Sequence, residues 1–557
     1  MLTKKYIILS LLTIGLLIDI FSVVHKSKTI DENAHLRYGI QMLHLNSNRF
    51  DDSKMPFSIL NAIPYCIAIH SIDYSHGFFY NLATKIAGFN RKLPNSKIRA
   101  YIGIMAGRIG TILFSLITAF FVFKWSNELY GLSAGYLSVF LYIFSPNIIA
   151  NSQLITTDIF AAGMATIATY YFWRFIRSES RKDFILSAFT LGLAQLAKYS
   201  CVFLYIIFII IVIIKNINRI FNMIRNNEFK KILIMVKKSF LYGFYFLVIS
   251  LFIINIGFLF NKSFTPLKEY KFKSRLFREV QSLTIIKNIP VPVPYPYLEG
   301  LDWVKFREDT GNGYGNIYLL GKLHTKNIRF EGFNGYYFYA MLFKVPISIQ
   351  ILFFLSFILY ILNRRKYNFI NNELFIFCPI VFYLIFFNFF MNAQIGIRHI
   401  IIIFPLMFIF CGSFINDWNK INLWRKVTVA ILSIYLVFSV MSYSPHFLSY
   451  FNEIVWNRTQ AYKYLADSNI DWGQNQWYLR KYLEKHPDVI VNPKYPVSGE
   501  IVVSVNKLVG IYNPSQYKWL RKNFKPVGQI AYSYLIYDVT KYDLRKLKLE
   551  KKEHEKS

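Results

Sequence analysis

The sequence predicts a polytopic α-helical membrane protein with amphipathic helices on its outer face and a small C-terminal α/β domain. Three observations carry this. Of 557 residues, 54% are hydrophobic and only 17% charged, too apolar for a soluble chain of this size. The apolar residues fall into runs of about the 20 residues a bilayer core requires. After residue 443 the character changes to short alternating and helical segments.

The first apolar run, 6–24, is long and lacks a small-residue cleavage site, so it reads as a retained anchor. Within 31–100, Leu36, Ile40 and Leu43, then Ile59, Ile63 and Ile67, recur at helical spacing and predict amphipathic helices flat on the outer interface. Runs 102–123, 132–149, 155–173, 184–197, 202–214 and 240–258 follow, the fifth and sixth spans being the shortest. The loop 260–336 holds a polyproline-like stretch at 291–297 and Gly311, Gly313 and Gly315, which together read as a mobile cover. The glycine triplet follows no strand and opens no clear helix, so it is taken as loop and not as a phosphate cradle. Runs 337–362, 374–391, 395–415 and 427–443 bring the count to about eleven. Residues 444–543 then read as an extracytoplasmic α/β domain: a helix at 475–483, a strand at 500–505, a helix opened by Asn513-Pro514 and a strand at 529–539. Residues 544–557 read as a charged, solvated tail.

A net charge of +33 invites a nucleic-acid reading, which the distribution of charge excludes. Lys and Arg gather in alternate loops, at 174–182, 215–238, 364–366 and 420–426, with Lys4 and Lys5 on the same side. That is the positive-inside pattern. It puts 25–100, 260–336 and the C-terminal region outside. Cys66, Cys201, Cys378 and Cys411 lie in apolar surroundings without metal-site or disulfide spacing.

Ionisable residues at the outer ends of the spans converge on one face. Asp31 and Glu32 follow the first span after a short polar segment, where carboxylates are costly unless they have a task. Asp158 opens the fourth span at the positive end of a helix dipole, or is an ordinary first-turn aspartate. Lys198 and the pair Arg398-His399 break the positive-inside rule locally; each is either a lipid anchor or a partner for an anion. Arg108 lies inside the second span, and Lys54 just outside the membrane. Carboxylates that accept a hydroxyl proton and cations that neutralise a phosphate leaving group are what glycosyl transfer from a lipid phosphate requires.

These residues carry a family resemblance. Asp31-Glu32-Asn33-Ala34-His35, Lys54-Met55-Pro56, Arg108, Thr157-Asp158, Leu193-Ala194-Gln195-Leu196-Ala197-Lys198, Tyr318-Leu319-Leu320-Gly321, Tyr336-Tyr337-Phe338, Lys344-Val345-Pro346 and Gly396-Ile397-Arg398-His399 together resemble the GT-C glycosyltransferase superfamily. More narrowly they resemble its protein O-mannosyltransferase and aminoarabinose transferase group, over nearly the whole chain. The block Asp467-Ser468-Asn469-Ile470-Asp471-Trp472-Gly473-Gln474 resembles one in bacterial members of this group. The resemblance implies a GT-C fold, a polyprenyl-phosphate sugar as donor, inversion at the sugar, and Asp31 as general base with Glu32 beside it. Asp158 joins the catalytic set, and Lys54, Arg108, Lys198, Arg398 and His399 the donor-phosphate set. Lys54 matches the lysine of a Lys-Pro-Pro-Leu element, except that Met55 replaces its first proline. Asp467, Asp471 and Trp472 have no derived role; packing and acceptor contact stay equally open.

The expected activity is transfer of one sugar to a hydroxyl acceptor, on protein or cell-envelope glycan or lipid, at the outer face of a bacterial inner membrane. Membrane lipids are expected partners and nucleic acid is not. The sequence demands no cofactor and leaves a divalent metal open at Asp31, Glu32 and Asp158. Two rivals remain: a lipid-linked oligosaccharide ligase or polymerase, and a transporter, which should show repeated halves and mid-span acids.

Overall fold

The computed structural model describes residues 2–46, 54–71, 95–325, 330–363, 368–416 and 418–554. Arg364, Arg365 and Lys366 of the basic-loop pattern, and 47–53 and 72–94 of the first outer segment, lie outside the described residues. The chain is a polytopic helical membrane protein. Six described helices are long and apolar enough to cross a bilayer, or up to eight if each of two bent pairs is one span. The bends, 62° between Leu132–Ile143 and Pro146–Ser152 and 112° between Tyr336–Lys344 and Ile347–Leu362, fall where Ser145 and Val345 precede prolines and take extended backbone. A proline ring disfavours helical geometry in the residue before it.

The sequence reading of about eleven spans is larger because three runs form helices that are charged or short. Asp158–Ser178 carries Asp158, Arg174 and Arg177, while Arg181–Ala197 has 17 residues and Leu374–Phe389 has 16. The helix Asp158–Ser178 sets the two ends of the bundle. Its last turns and their neighbours are joined by Trp173 Nε1 to the Asn371 carbonyl at 2.9 Å and by Lys238 to Glu179 at 2.8 Å. The basic residues of 174–182 therefore sit at the end remote from Asp158.

Of the amphipathic pieces, Glu32–Leu43 and Ile59–Ser71 are helices. The second does more than lie on a surface, since it packs along the long helix Asn95–Tyr130. Contact is close because Gly110 presents no side chain: a Cβ there would come within 2.0 Å of the Leu60 carbonyl oxygen. Asn61 Nδ2 donates to the Gly107 carbonyl at 2.8 Å and to Thr111 Oγ1 at 2.7 Å, meeting polar groups that burial would otherwise strand.

The outer segment 260–336, read from its prolines and glycines as a mobile cover, is built structure among the described residues. It holds helices Arg275–Ser282 and Tyr295–Thr310 and a hairpin of β1 (Ile317–Leu319) and β2 (Lys322–His324). The proline run ends by opening the second of these helices, and Gly311 caps it with φ of +69°, which favours glycine. Tyr297 hydrogen-bonds Gln195 at 3.2 Å and Glu308 receives the Asn392 amide, so the segment is fastened near Lys198 and Arg398.

In the C-terminal region, β3 (Ile490–Val491), β4 (Gly499–Ser504), β5 (Gly528–Ile530) and β6 (Tyr534–Val539) form a sheet of order β3-β4-β6-β5. The expected single strand at 529–539 is a hairpin, because Ala531 and Tyr532 turn the chain with positive φ. The helix expected from Asn513-Pro514 begins at Lys518, and the expected tail continues as helix Lys541–His554. The region shares the bundle's core. Lys344 reaches the carbonyls of Leu448 at 2.8 Å and Asn469 at 2.6 Å, and Asn469 accepts the Ile397 amide at 3.0 Å.

One buried ion pair fixes the exit of the first helix. Arg108 and Glu32 are both 0% exposed, with Nε to Oε1 at 2.8 Å and Nη2 to Oε2 at 2.8 Å. The guanidinium also donates to the carbonyls of Val23, Lys26 and Ser27, and the carboxylate accepts the amides of Thr29 at 2.7 Å and Ile155 at 3.1 Å. Burial works against the Glu32 charge, yet Arg108 and these amides hold its pKa below the usual value. Arg108→Met is expected to destabilise the protein by about 3–5 kcal/mol, as removal of one partner from a buried pair does, and Arg108→Met with Glu32→Met to recover part of the loss. Thermal unfolding in detergent checks both.

Candidate active site

Asp31 lies at the N-cap of helix Glu32–Leu43, held in place by its neighbour's bond to Arg108. The three carboxylates expected to be catalytic differ sharply in access: Asp31 is 36% exposed, Asp158 2% and Glu32 0%. Glu32, expected to support Asp31, and Arg108 form a buried pair, every donor of one and both oxygens of the other being engaged inside the fold. Asp158 holds Lys198 Nζ at 2.6 Å through Oδ1 and lies 3.8 Å from Arg398 Nη1 through Oδ2, which makes it an anchor for two cations.

Arg398 is the hub. Its Nη1 is 3.5 Å from Asp31 Oδ2 as well as 3.8 Å from Asp158 Oδ2, and its guanidinium stacks on the Trp472 ring at 3.9 Å, a favourable cation–π geometry. Trp472, left without a role by the sequence, therefore reaches the same cluster from the C-terminal region. Its carbonyl receives the Ile30 amide at 3.2 Å, tying that region to the residue before Asp31. Gly396, with φ of +149°, lets the chain pass against Ser468, whose Oγ would lie 2.3 Å from a Cβ. His399 has Asp158, Lys198 and Arg398 as charged neighbours. Lys54, half-buried, is among the charges surrounding His35.

Sequence reasoning missed several residues. His35, from the quoted Asp31 motif, is buried, and burial together with Lys54, Arg398 and Lys198 keeps its pKa well below the ordinary range. Its alternation with Leu36 and Gly39 on the buried side of an amphipathic helix was a usable signal. Lys26 is also buried, donating to His446 Nδ1 at 2.6 Å and Asn475 Oδ1 at 2.7 Å. Asp19 is an acid within the first span that the sequence reading passed over; it accepts Ser152 Oγ at 2.8 Å. Four buried polar atoms at the cluster, His35 Nδ1, Asp158 Oδ2, Arg398 Nε and His399 Nε2, have no hydrogen-bond partner in the protein. Such atoms are rare in native interiors and mark sites where another molecule supplies the bond.

Of the carboxylates at which the sequence left a divalent metal open, Glu32 is paired with Arg108, Asp158 Oδ1 with Lys198, and Arg398 stands between Asp31 and Asp158. Among the described residues no group of three or more His, Cys, Asp or Glu is placed to hold one.

The helices that carry Arg108, Asp158 and Lys198 all fall in one stretch of chain. Residues 97–254 match the family model described as dolichyl-phosphate-mannose-protein mannosyltransferase. That stretch, from the second span into the helix Phe229–Gly257, thus resembles a mannosyltransferase family, in line with the resemblance its motifs carry. No curated protein matches the chain. Solved structures similar to it include the archaeal oligosaccharyltransferase AglB from Archaeoglobus fulgidus, in complex with an inhibitory peptide and a dolichol-phosphate, at 11% identity and TM-score 0.47 over 97% of this chain and 75% of that one. ArnT from Cupriavidus metallidurans is similar in the apo state at 11% identity and TM-score 0.29 over 96% and 98% of the two chains. Bound to undecaprenyl phosphate, it is similar at 14% identity and TM-score 0.27 over 95% and 97%.

Asp467 and Asp471 flank this site from the C-terminal region. Burial raises both to a pKa of about 6, Arg398 opposing the shift at Asp467 and the Gly473 amide at Asp471. For Asp471 the folded protein binds the proton more tightly than the unfolded chain, so its contribution is fully present below the ordinary pKa of 3.8 and is lost as pH rises through about 6. Asp471→Asn should therefore gain thermal stability over the parent progressively between about pH 4 and pH 6.5 and keep a constant advantage above that. Unfolding midpoints of both proteins across this range test the sign.

Proposed function

We propose that the protein is an inverting glycosyltransferase that moves one sugar from a polyprenyl-phosphate carrier to a hydroxyl acceptor at the outer face of the membrane. The observation that carries this reading is the convergence of the accessible carboxylate Asp31 with Lys198 and Arg398, both held by the buried Asp158. The helices Asp158–Ser178, Arg181–Ala197 and Leu374–Phe389 cross the bilayer in this reading, giving about eleven spans, and the positive-inside pattern of the loops supports an outer site.

In the reaction, the acceptor hydroxyl gives its proton to Asp31 as its oxygen bonds the anomeric carbon. The bond from that carbon to the phosphate oxygen breaks on the opposite face, inverting the centre. The carrier leaves as a phosphomonoester, one negative charge richer than the phosphodiester it was. Lys198, Arg398 and Lys54 stabilise that added charge in a water-poor site. Asp158 and Trp472 position the cations and do not touch the reacting atoms. His35, kept neutral, contributes a ring nitrogen to hydrogen bonding without repelling the cations.

Asp31→Asn removes the proton acceptor and little volume, and is expected to lower transfer by about 10²–10⁴-fold with unchanged insertion and folding. The donor is tested in proteoliposomes given radiolabelled sugar either as polyprenyl-phosphate sugar or as nucleotide sugar. Incorporation from the first alone is expected; incorporation from the nucleotide sugar without any polyprenyl phosphate would overturn the proposal.

A further inference from the structure

A concavity lined in part by Ile30, the residue before Asp31, is left unused by the proposed reaction. It has a volume of about 510 Å³ and lies between the helix Gln476–Lys485 and the C-terminal sheet, within the roughly 300–1,000 Å³ typical of small-ligand sites. Two of its walls adjoin the active cluster in the chain: Ile30 precedes Asp31, and Asp471 precedes Trp472, on which Arg398 stacks. Gln476, Arg480, Asn492, Lys507, Tyr512 and Tyr534 also line it. Two of its polar groups are held in place. Asn492 Oδ1 accepts the Ser504 amide at 3.1 Å, and Asp471 Oδ1 accepts the Gly473 amide at 3.0 Å. Tyr534 belongs to the central strand β6, and Tyr512 is 63% exposed.

We propose that this cavity binds the acceptor, and that the acceptor is a carbohydrate whose hydroxyl is presented to Asp31. The inference rests on the glycosyltransferase reading and names its second substrate. The lining suits a sugar. Tyrosine rings offer apolar faces to the C–H side of a pyranose, while carboxylate and amide groups such as Asp471, Gln476 and Asn492 pair with adjacent hydroxyls as donors and acceptors. A peptide acceptor would instead use an exposed sheet edge, through backbone pairing. The strand residues that line the cavity, Ser504 of β4 and Tyr534 of β6, belong to the two central strands, and beside the edge strand β3 the Asn492 amide is already given to the Val502 carbonyl at 2.8 Å.

The test uses the full-length protein in detergent and saturation-transfer NMR with three probes: methyl α-D-mannopyranoside, N-acetylglucosamine and a heptapeptide containing Ser and Thr. At least one sugar should receive saturation, with its apparent affinity falling about tenfold in Tyr512→Ala and also weakened in Gln476→Ala. Both side chains are exposed, so the variants should keep the parent's fold. Undecaprenyl phosphate, followed by thermal shift, should stabilise parent and variants equally. Saturation of neither sugar, equal binding in parent and both variants, or binding of the peptide alone would overturn the cavity assignment. Sugar binding sensitive to Tyr512 with no response to undecaprenyl phosphate would instead leave the cavity standing and count against the donor class.

Discussion

The architecture depends on the enclosed bond between Glu32 and Arg108. Seven backbone and side-chain contacts converge there from the end of the first span, the following loop, the second span and the turn before Asp158. Polar backbone at that depth is tolerated only where protein satisfies it. The pair lets the chain leave the first helix, turn and begin another within a few residues. Asp31 is thereby delivered to a fixed position with one face free.

Charge at the site is arranged in tiers. Asp158, almost sealed, fixes Lys198 directly and Arg398 at longer range, while Trp472 supports the guanidinium from the other side. Asp31 lies on the wet side of the same cation. A buried anion thus organises two cations, and Arg398 Nε and His399 Nε2 beside it have no hydrogen-bond partner in the protein. Bonding to preset groups costs less reorganisation than recruiting flexible ones.

Much of this was legible from residues alone, for identifiable reasons. Long apolar runs announce membrane helices, and the outward-side cations Lys198 and Arg398 were conspicuous because they break the charge rule that their neighbours obey. The resemblance already set Asp31 apart from a supporting Glu32; what sequence could not supply was the partner, since Arg108 lies 76 residues away from Glu32. Trp472 escaped for the same reason, since a stacking contact with Arg398 leaves no periodic trace. The outer segment 260–336 was misjudged because proline and glycine signal turns whether or not the segment between them packs. The hairpin at 528–539 was read as one strand because alternation continues across its turn.

The stacking of Arg398 on Trp472 also has a bearing on biosynthesis. The tryptophan lies beyond every span, so a chain still being threaded into the bilayer has Asp31, Asp158 and Lys198 in place long before the surface that seats the guanidinium has been made. If the proposed reaction holds, competence comes with the C-terminal region and not with the last helix, so a truncated chain spends no activated sugar through a half-assembled centre.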